Sequence, residues 1–388
     1  MSLLHNSKHK IKNIQRTIDG LLDGDFPLSS GRKALSKLRD VFDDLDAKLD
    51  RIGRLNDEET LKQISSHINL KIYQVLPILG FILRSTNVRN AFELLDPLQT
   101  ITDAALQGSP YLLLSSEWDY IPFAYPQSLD DLKSFVLIGL PASEAASALL
   151  LPLAGHELGH AVWRNLGVGG SVAAALQHRC VELYSKDMPA FQNAFPDYKE
   201  FDFVNREILP MAIAKSLEFA ARQAEELFCD LFAYAIFGSS YLHAFSYIVA
   251  PGGGIADSNY PLNETRIAVI SRVAASEGRE LPTNIQIEFR SERRYAEQRH
   301  RYIVKKAEES VSSITERLWT RILEILRKSN LTRPDPNSAT KHAEDFLVGI
   351  PTHAPLCLGD VVNAGWIRYA EIVKSAESLQ RCPSYSIT

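Results

Sequence analysis

Residues 151–165 read LPLAGHELGHAVWRN, and three side chains in that stretch decide how the rest of the chain is read. His156 and His160 are four apart, so on an α-helix they share a face and can offer imidazole nitrogens to one ion. Glu157 stands one step round, close enough to reach a water held by such an ion without ligating it. The flanking Leu153, Ala154, Gly155, Leu158, Gly159, Ala161 and Val162 are all uncharged, as a helix buried on every side requires. Gly159 is about 1 kcal/mol worse than alanine as a helix former. Its place here predicts a close approach to the helix backbone.

Two histidines do not complete a metal site. The extended histidine motif of the metzincins is absent, because the positions three and six beyond His160 are Trp163 and Leu166 rather than Gly and His. Further on, residues 220–238 read AARQAEELFCDLFAYAIFG, with Glu226 and Asp230 again four apart on a strongly apolar helix. A carboxylate on such a face is expensive unless paired or metal-bound. Glu226 can serve as the third ligand and Asp230 can hydrogen-bond a ligand histidine. Glu225 with Cys229 and Glu218 with Arg222 compete for the assignment, but read as an exposed helical face. Glu226 alone has an acid one turn on.

HELGH followed by ELFCD resembles the gluzincin metallopeptidases, whose third ligand is the Glu of a downstream ExxxD helix; the likeness is nearest to the CAAX-prenyl-protease type. Cys229 stands where that group has Ala. Its later His-Pro, followed after four residues by Arg-Ile, is matched in YPLNETRI by Pro261, Arg266 and Ile267, with Tyr260 replacing the His. The resemblance covers about residues 153–267. It implies a zincin-like core holding one zinc ion through His156, His160 and Glu226, Glu157 as general base, and Asp230 orienting a ligand. Tyr260 becomes the candidate for oxyanion support, with His243 and Tyr247 as substitutes. It further implies a protein or peptide substrate held by an edge strand, for which SFVLIGLP (134–141) and EWDYIPFAYP (117–126) are candidates. Two alternatives keep less of it: a zinc hydrolase of a non-peptide amide or ester, or a catalytically silent helical interaction protein.

The 388 residues carry 45% hydrophobic and 23% charged side chains and a net charge of -5, the balance of a soluble globular chain and not of a general nucleic-acid binder. Cys180, Cys229, Cys357 and Cys382 show no CxxC spacing and predict reduced thiols. The opening MSLLHNSKHKIKNIQ lacks the apolar core of a signal peptide. Residues 135–155 approach a membrane span in length, but Glu144 and two prolines interrupt them. They predict a buried strand running into a core helix. The expectation is a cytoplasmic chain with no membrane span.

Helical patterning fills 8–107, with Ser29 and Ser30 as caps before Leu35, Leu38, Phe42, Leu45 and Leu49. It predicts a scaffold or a homo-oligomer arm. Aromatic and β-branched residues between 110 and 141 predict two short strands. Helices then hold to about 247, PGGGIADSNYP (251–261) is a loop, and NETRIAVISRVAAS starts another helix. The mixed charges of EFRSERRYAEQRHRYIVKKAEES predict a solvated helix face, and SNLTRPDPNSAT (329–340) reads as a linker. The expected fold is mainly α with a small sheet, divided into a helical region 1–108, a metallopeptidase core 109–275 and a helical region 276–388.

Overall fold

Apolar residues at three-and-four spacing give the N-terminal region its helices. In the computed structural model α1 (Leu3–Leu22), α2 (Ser29–Ile52) and α3 (Glu58–Arg84) pack pairwise. Ile11 and Ile18, then Leu35, Leu38, Phe42, Leu45 and Leu49, then Ile68, Val75, Phe81 and Ile82 form one buried cluster. The structure describes residues 3–26, 29–52, 57–85, 94–108, 110–117, 122–124, 132, 134–144, 147–198, 206–250, 257–279, 281, 297–349 and 357–380. Helix α3 begins on Asp57, whose side chain accepts from the amides of Glu59 and Thr60, satisfying two of its free donors. Ser29 and Ser30 are not caps but the first residues of α2, and Ser30 is buried.

After α4 (Leu95–Leu106) come β1 (Tyr111–Glu117), β2 (Phe123–Ala124) and β3 (Phe135–Pro141). β1 pairs parallel to β3 in register from Tyr111↔Phe135 to Glu117↔Pro141. β2 pairs antiparallel to β3, Phe123 opposite Gly139 and Ala124 opposite Ile138. The sheet order β1-β3-β2 therefore puts β3 in the middle. The expectation of SFVLIGLP as an edge strand fails, because both sides of β3 are paired at its centre. The two-residue β2, inside the other candidate stretch, is an edge.

Beyond the 3₁₀ turns Ala142–Glu144 and Ala148–Leu150 every regular element among the described residues is an α-helix. It comprises α5 (Leu151–Asn165), α6 (Val168–Lys186), α7 (Met188–Ala194), α8 (Ile208–Phe237), α9 (Ser239–Val249), α10 (Asn263–Ser276), α11 (Gln298–Ser312), α12 (Thr315–Lys328), α13 (Pro336–Val348) and α14 (Leu358–Gln380). The chain is mainly α with a small sheet. The described residues of 135–155 are a strand, two 3₁₀ turns and the start of α5, as their breaks predict. α3 is the one helix among the described residues long and apolar enough, by length and composition, to cross a membrane.

Helix α8, 30 residues and about 45 Å long at 1.5 Å per residue, packs against α5, α6, α9, α10, α11, α12 and α14. Its own sequence explains this: from Leu227 to Phe237 every residue is buried, so no face is left for solvent. Gly238 ends it at φ +61°, ψ -142°, a region essentially reserved for glycine. A Cβ there would also sit 2.9 Å from Pro334 Cγ. That corner launches α9 at once.

The chain divides into two compact units, 1–103 with 108–146, and 104–107 with 147–388. The expected boundaries at 108 and 275 differ from these. The strands join the N-terminal helices because Leu113, Phe135 and Leu137 enter the α1–α3 cluster and β1 packs on α2 and α3. The C-terminal helices α11, α12 and α14 pack on α8. The expected linker is half helix: Asp335 caps α13, accepting from the amides of Asn337 and Ser338, and Pro336 fills its first turn. Residues 251–256 of the glycine-rich loop, 288–296 of the charged stretch, and Cys382 lie outside the described residues.

Candidate metal centre

The centre is set by how closely α5 and α8 cross. A Cβ on Gly159 would lie 2.8 Å from Cys229 Cα, and one on Gly155 would lie 2.5 Å from a ring carbon of Phe237. Both are nearer than real side chains tolerate, so Gly159 lets the helices meet almost backbone to backbone and Gly155 makes room for the Phe237 ring. The close approach predicted from Gly159 is that of Cys229. Every residue of α5 from Leu151 to Trp163 is buried except His160, which is partly exposed.

At the crossing His156 and His160 stand with ring centroids 5.2 Å apart, nearly perpendicular. Their Nε2 atoms both look onto Glu226, at 3.4 Å from Oε2 for His156 and 3.7 Å from Oε1 for His160. The donor atoms of His156, His160 and Cys229 lie within 4.8 Å of one another, so this group can hold a metal ion.

The other ring nitrogens are engaged. His156 Nδ1 lies 3.0 Å from Asp230 Oδ1 and 3.3 Å from the Tyr241 hydroxyl. Tyr241 donates to the same Asp230 oxygen at 2.5 Å. Arg266 closes the group, its Nε and Nη2 donating to the two Asp230 oxygens at 2.7 and 2.6 Å. His160 Nδ1 lies 2.9 Å from Glu225 Oε1, and Arg222 stands 3.8 Å behind that carboxylate. With an anionic acceptor at each Nδ1, the Nδ1–H tautomer is held and the Nε2 lone pair is kept for an ion.

The electrostatics follow from burying so many charges together. Burial opposes a charge on His156, but hydrogen bonds to Asp230 and Glu226 and the charges of Asp230 and Glu157 outweigh it, lifting the metal-free imidazole to about 10. Burial likewise opposes the Asp230 carboxylate, yet the charge and hydrogen bonds of Arg266 hold it well below the usual range. Glu226 is also lowered, burial being overcome by its contact with His156 and then by Arg266 and His160. Burial, then the charges of Glu226, Glu225, Asp230 and Glu157, push the Cys229 thiol well above its ordinary value.

Glu157 is buried beside His156, and its charge is felt there. Tyr260 is about half exposed at 48%. Its phenol is raised by partial burial and then by Glu226, Asp257 and Glu157, so it stands within reach of the centre's field. His243 and Tyr247 belong elsewhere, against Trp366 at ring-centroid distances of 5.3 and 6.3 Å.

Three contributors escaped the sequence. Glu225 is not on an exposed face; its side chain is 16% exposed and pairs with His160. Glu218, its fellow competitor, is 59% exposed and pairs with Lys215. Tyr241 carries no sequence signal, since only the Gly238 corner brings it back to Asp230. Arg266 lies in the quoted YPLNETRI, which was the one available pointer to it. No protein-family profile, curated protein or solved structure matches the chain, so the centre has to be understood from its residues alone.

Proposed function

We propose that this chain is a zinc-dependent peptidase of gluzincin type, with His156, His160 and Glu226 as ligands. The observation that carries the reading is that both Nε2 atoms face Glu226 at 3.4 and 3.7 Å while both Nδ1 atoms are held by carboxylates. Ligand atoms about 2.1 Å from a tetrahedral zinc are separated by about 3.4 Å, a spacing that the two distances to Glu226 approach. Glu226 is favoured over Cys229 because its two oxygens face both Nε2 atoms, whereas an ion taken by the Cys229 thiol, raised by burial, would have to displace its proton.

Zinc bound there would supply Lewis acidity, polarising a scissile carbonyl and acidifying a water. The chain's own residues do the rest. Glu157 takes the proton of the attacking water and hands it to the leaving amine. Asp230, locked by Arg266 and Tyr241, and Glu225 fix the two imidazole rings. The half-exposed Tyr260 hydroxyl donates to the carbonyl oxygen as it gains charge.

The test is Glu157→Gln. Zinc content measured by mass spectrometry should stay at wild-type stoichiometry, while cleavage of a mixed peptide library falls by about 10²–10⁴-fold. Unchanged cleavage would sink the assignment.

The position of Cys229 favours one other reading, a His₂Cys ion with a purely structural role. Cobalt substitution separates the two. A near-ultraviolet thiolate-to-cobalt band that disappears in Cys229→Ala supports the structural reading, and its absence supports Glu226.

A further inference from the structure

One turn beyond Asp230 on α8, Tyr234 lines a half-open cavity of about 410 Å³ whose other walls come from the start of α9 with His243, from Arg279 and Pro334, and from α13 and α14. That volume falls among small-molecule sites, about 300–1,000 Å³. Trp366, Ile367, Ala370 and Pro334 give it an apolar side.

Its polar groups are unevenly used. Asp335 caps α13, and Glu371 is paired with Arg368. The amide of Asn363 donates to the carbonyls of Phe237 and Gly359, and its oxygen accepts from Ser239 and Ser240. The Thr340 hydroxyl donates to the Pro336 carbonyl and the His243 ring stacks on Trp366. The carboxylate and amide acceptors of the lining are thus engaged. Donors remain. Tyr234 is 2% exposed, packs its ring near Trp319, and its hydroxyl has no hydrogen-bond partner among the described residues. Burial raises that phenol, which keeps it a donor. Arg279 gives one bond to the Pro334 carbonyl, at 3.2 Å, and its nearest carboxylate contact is 3.8 Å from Glu277. Lys374 is exposed and has no ion-pair partner among the described residues. The Tyr234 ring is buried while the residue lines the cavity, so a ligand's acceptor there takes the place of solvent.

We propose that this cavity is a binding site for a small aromatic carboxylate, its flat body on the Trp366–Ile367–Ala370 wall and its carboxylate taken by Tyr234, Arg279 and Lys374. The ligand must bring acceptors and negative charge because donors are what the walls have left. The site is independent of the metal chemistry proposed above.

The test compares three probes with one body and different heads: 2-naphthylacetate, 2-naphthylethanol and 2-naphthylethylamine, titrated into the full chain by saturation-transfer NMR. The carboxylate should bind at least tenfold tighter than the alcohol or the amine. Ala370→Trp, at an exposed position on α14 where folding is not at stake, should abolish binding. Arg279→Gln and Lys374→Gln should each weaken the carboxylate several-fold and leave the alcohol unchanged. The proposal is overturned if the three probes bind equally, if none binds at millimolar concentration, or if carboxylate binding survives Ala370→Trp.

Discussion

Glu225 and Tyr241 stand behind His160 and His156, and on the proposed zinc reading their removal should be read in metal affinity before anything else. Glu225→Gln and Tyr241→Phe should each weaken binding by about 10–100-fold, measured by competition with a chromophoric chelator, whereas Tyr260→Phe should leave affinity alone and reduce turnover. Protons compete at the same atoms. The metal-free His156 is held up to about 10, so below that pH an ion must displace its proton, and affinity should fall about tenfold per unit from pH 8 to 6. The sign for stability is the reverse. A folded pKa above the unfolded value of about 6.5 favours the folded metal-free protein at low pH, and that contribution is lost as pH rises towards 10. Thermal melts of the chelated protein should therefore weaken across pH 7–10, while the loaded protein, with no proton to lose at His156, should not follow. His156, Glu157 and His160 were legible because four-residue spacing is local and fixes its own geometry. Glu225 was not, because neighbours on one helix both turn inward only when a second helix lies across them.

At the scale of elements, the α5–α8 crossing makes opposite predictions for two helical glycines. Gly159→Ala places a methyl 2.8 Å from the Cys229 backbone, which no rotamer change relieves. Despite the better helix propensity it should destabilise the chain by about 1–3 kcal/mol, seen as a lower urea midpoint with unchanged slope. Gly170→Ala in α6 meets nothing within 4 Å and should stabilise by up to about 1 kcal/mol. Equal effects at the two positions would rule out the seam. Most helices were legible from three-and-four spacing. The linker expected at 329–340 was misread because Ser, Asn, Thr and Pro signal both linkers and helix starts, and Asp335-Pro336 is a cap with a first-turn proline. Strand order was not legible either: nothing in SFVLIGLP shows that β2 folds back along it.

For the whole molecule, the boundaries were hidden in long-range packing: the strands lie next to α5 in sequence but bury their side chains with α1–α3. The second unit has α8 as its common contact, so on the proposed zinc reading metal loss would be felt by the whole unit. An ion at a hundred times its dissociation constant adds about 2.7 kcal/mol, or roughly 5–10 °C in a unit of this size. Chelation should lower the melting temperature of the second unit by that amount, and an unchanged melt would mean that no ion binds there. At 25 °C the far-ultraviolet circular dichroism should be the same with and without chelator, since Gly155 and Gly159 let α5 and α8 pack directly on each other. The seam has a further effect, on timescale. On the proposed reading the donors are in place before an ion arrives, so exchange would be governed by the dehydration of the incoming ion and the escape of one proton. Emptying and refilling the centre should complete in the mixing time of a titration, with no refolding phase.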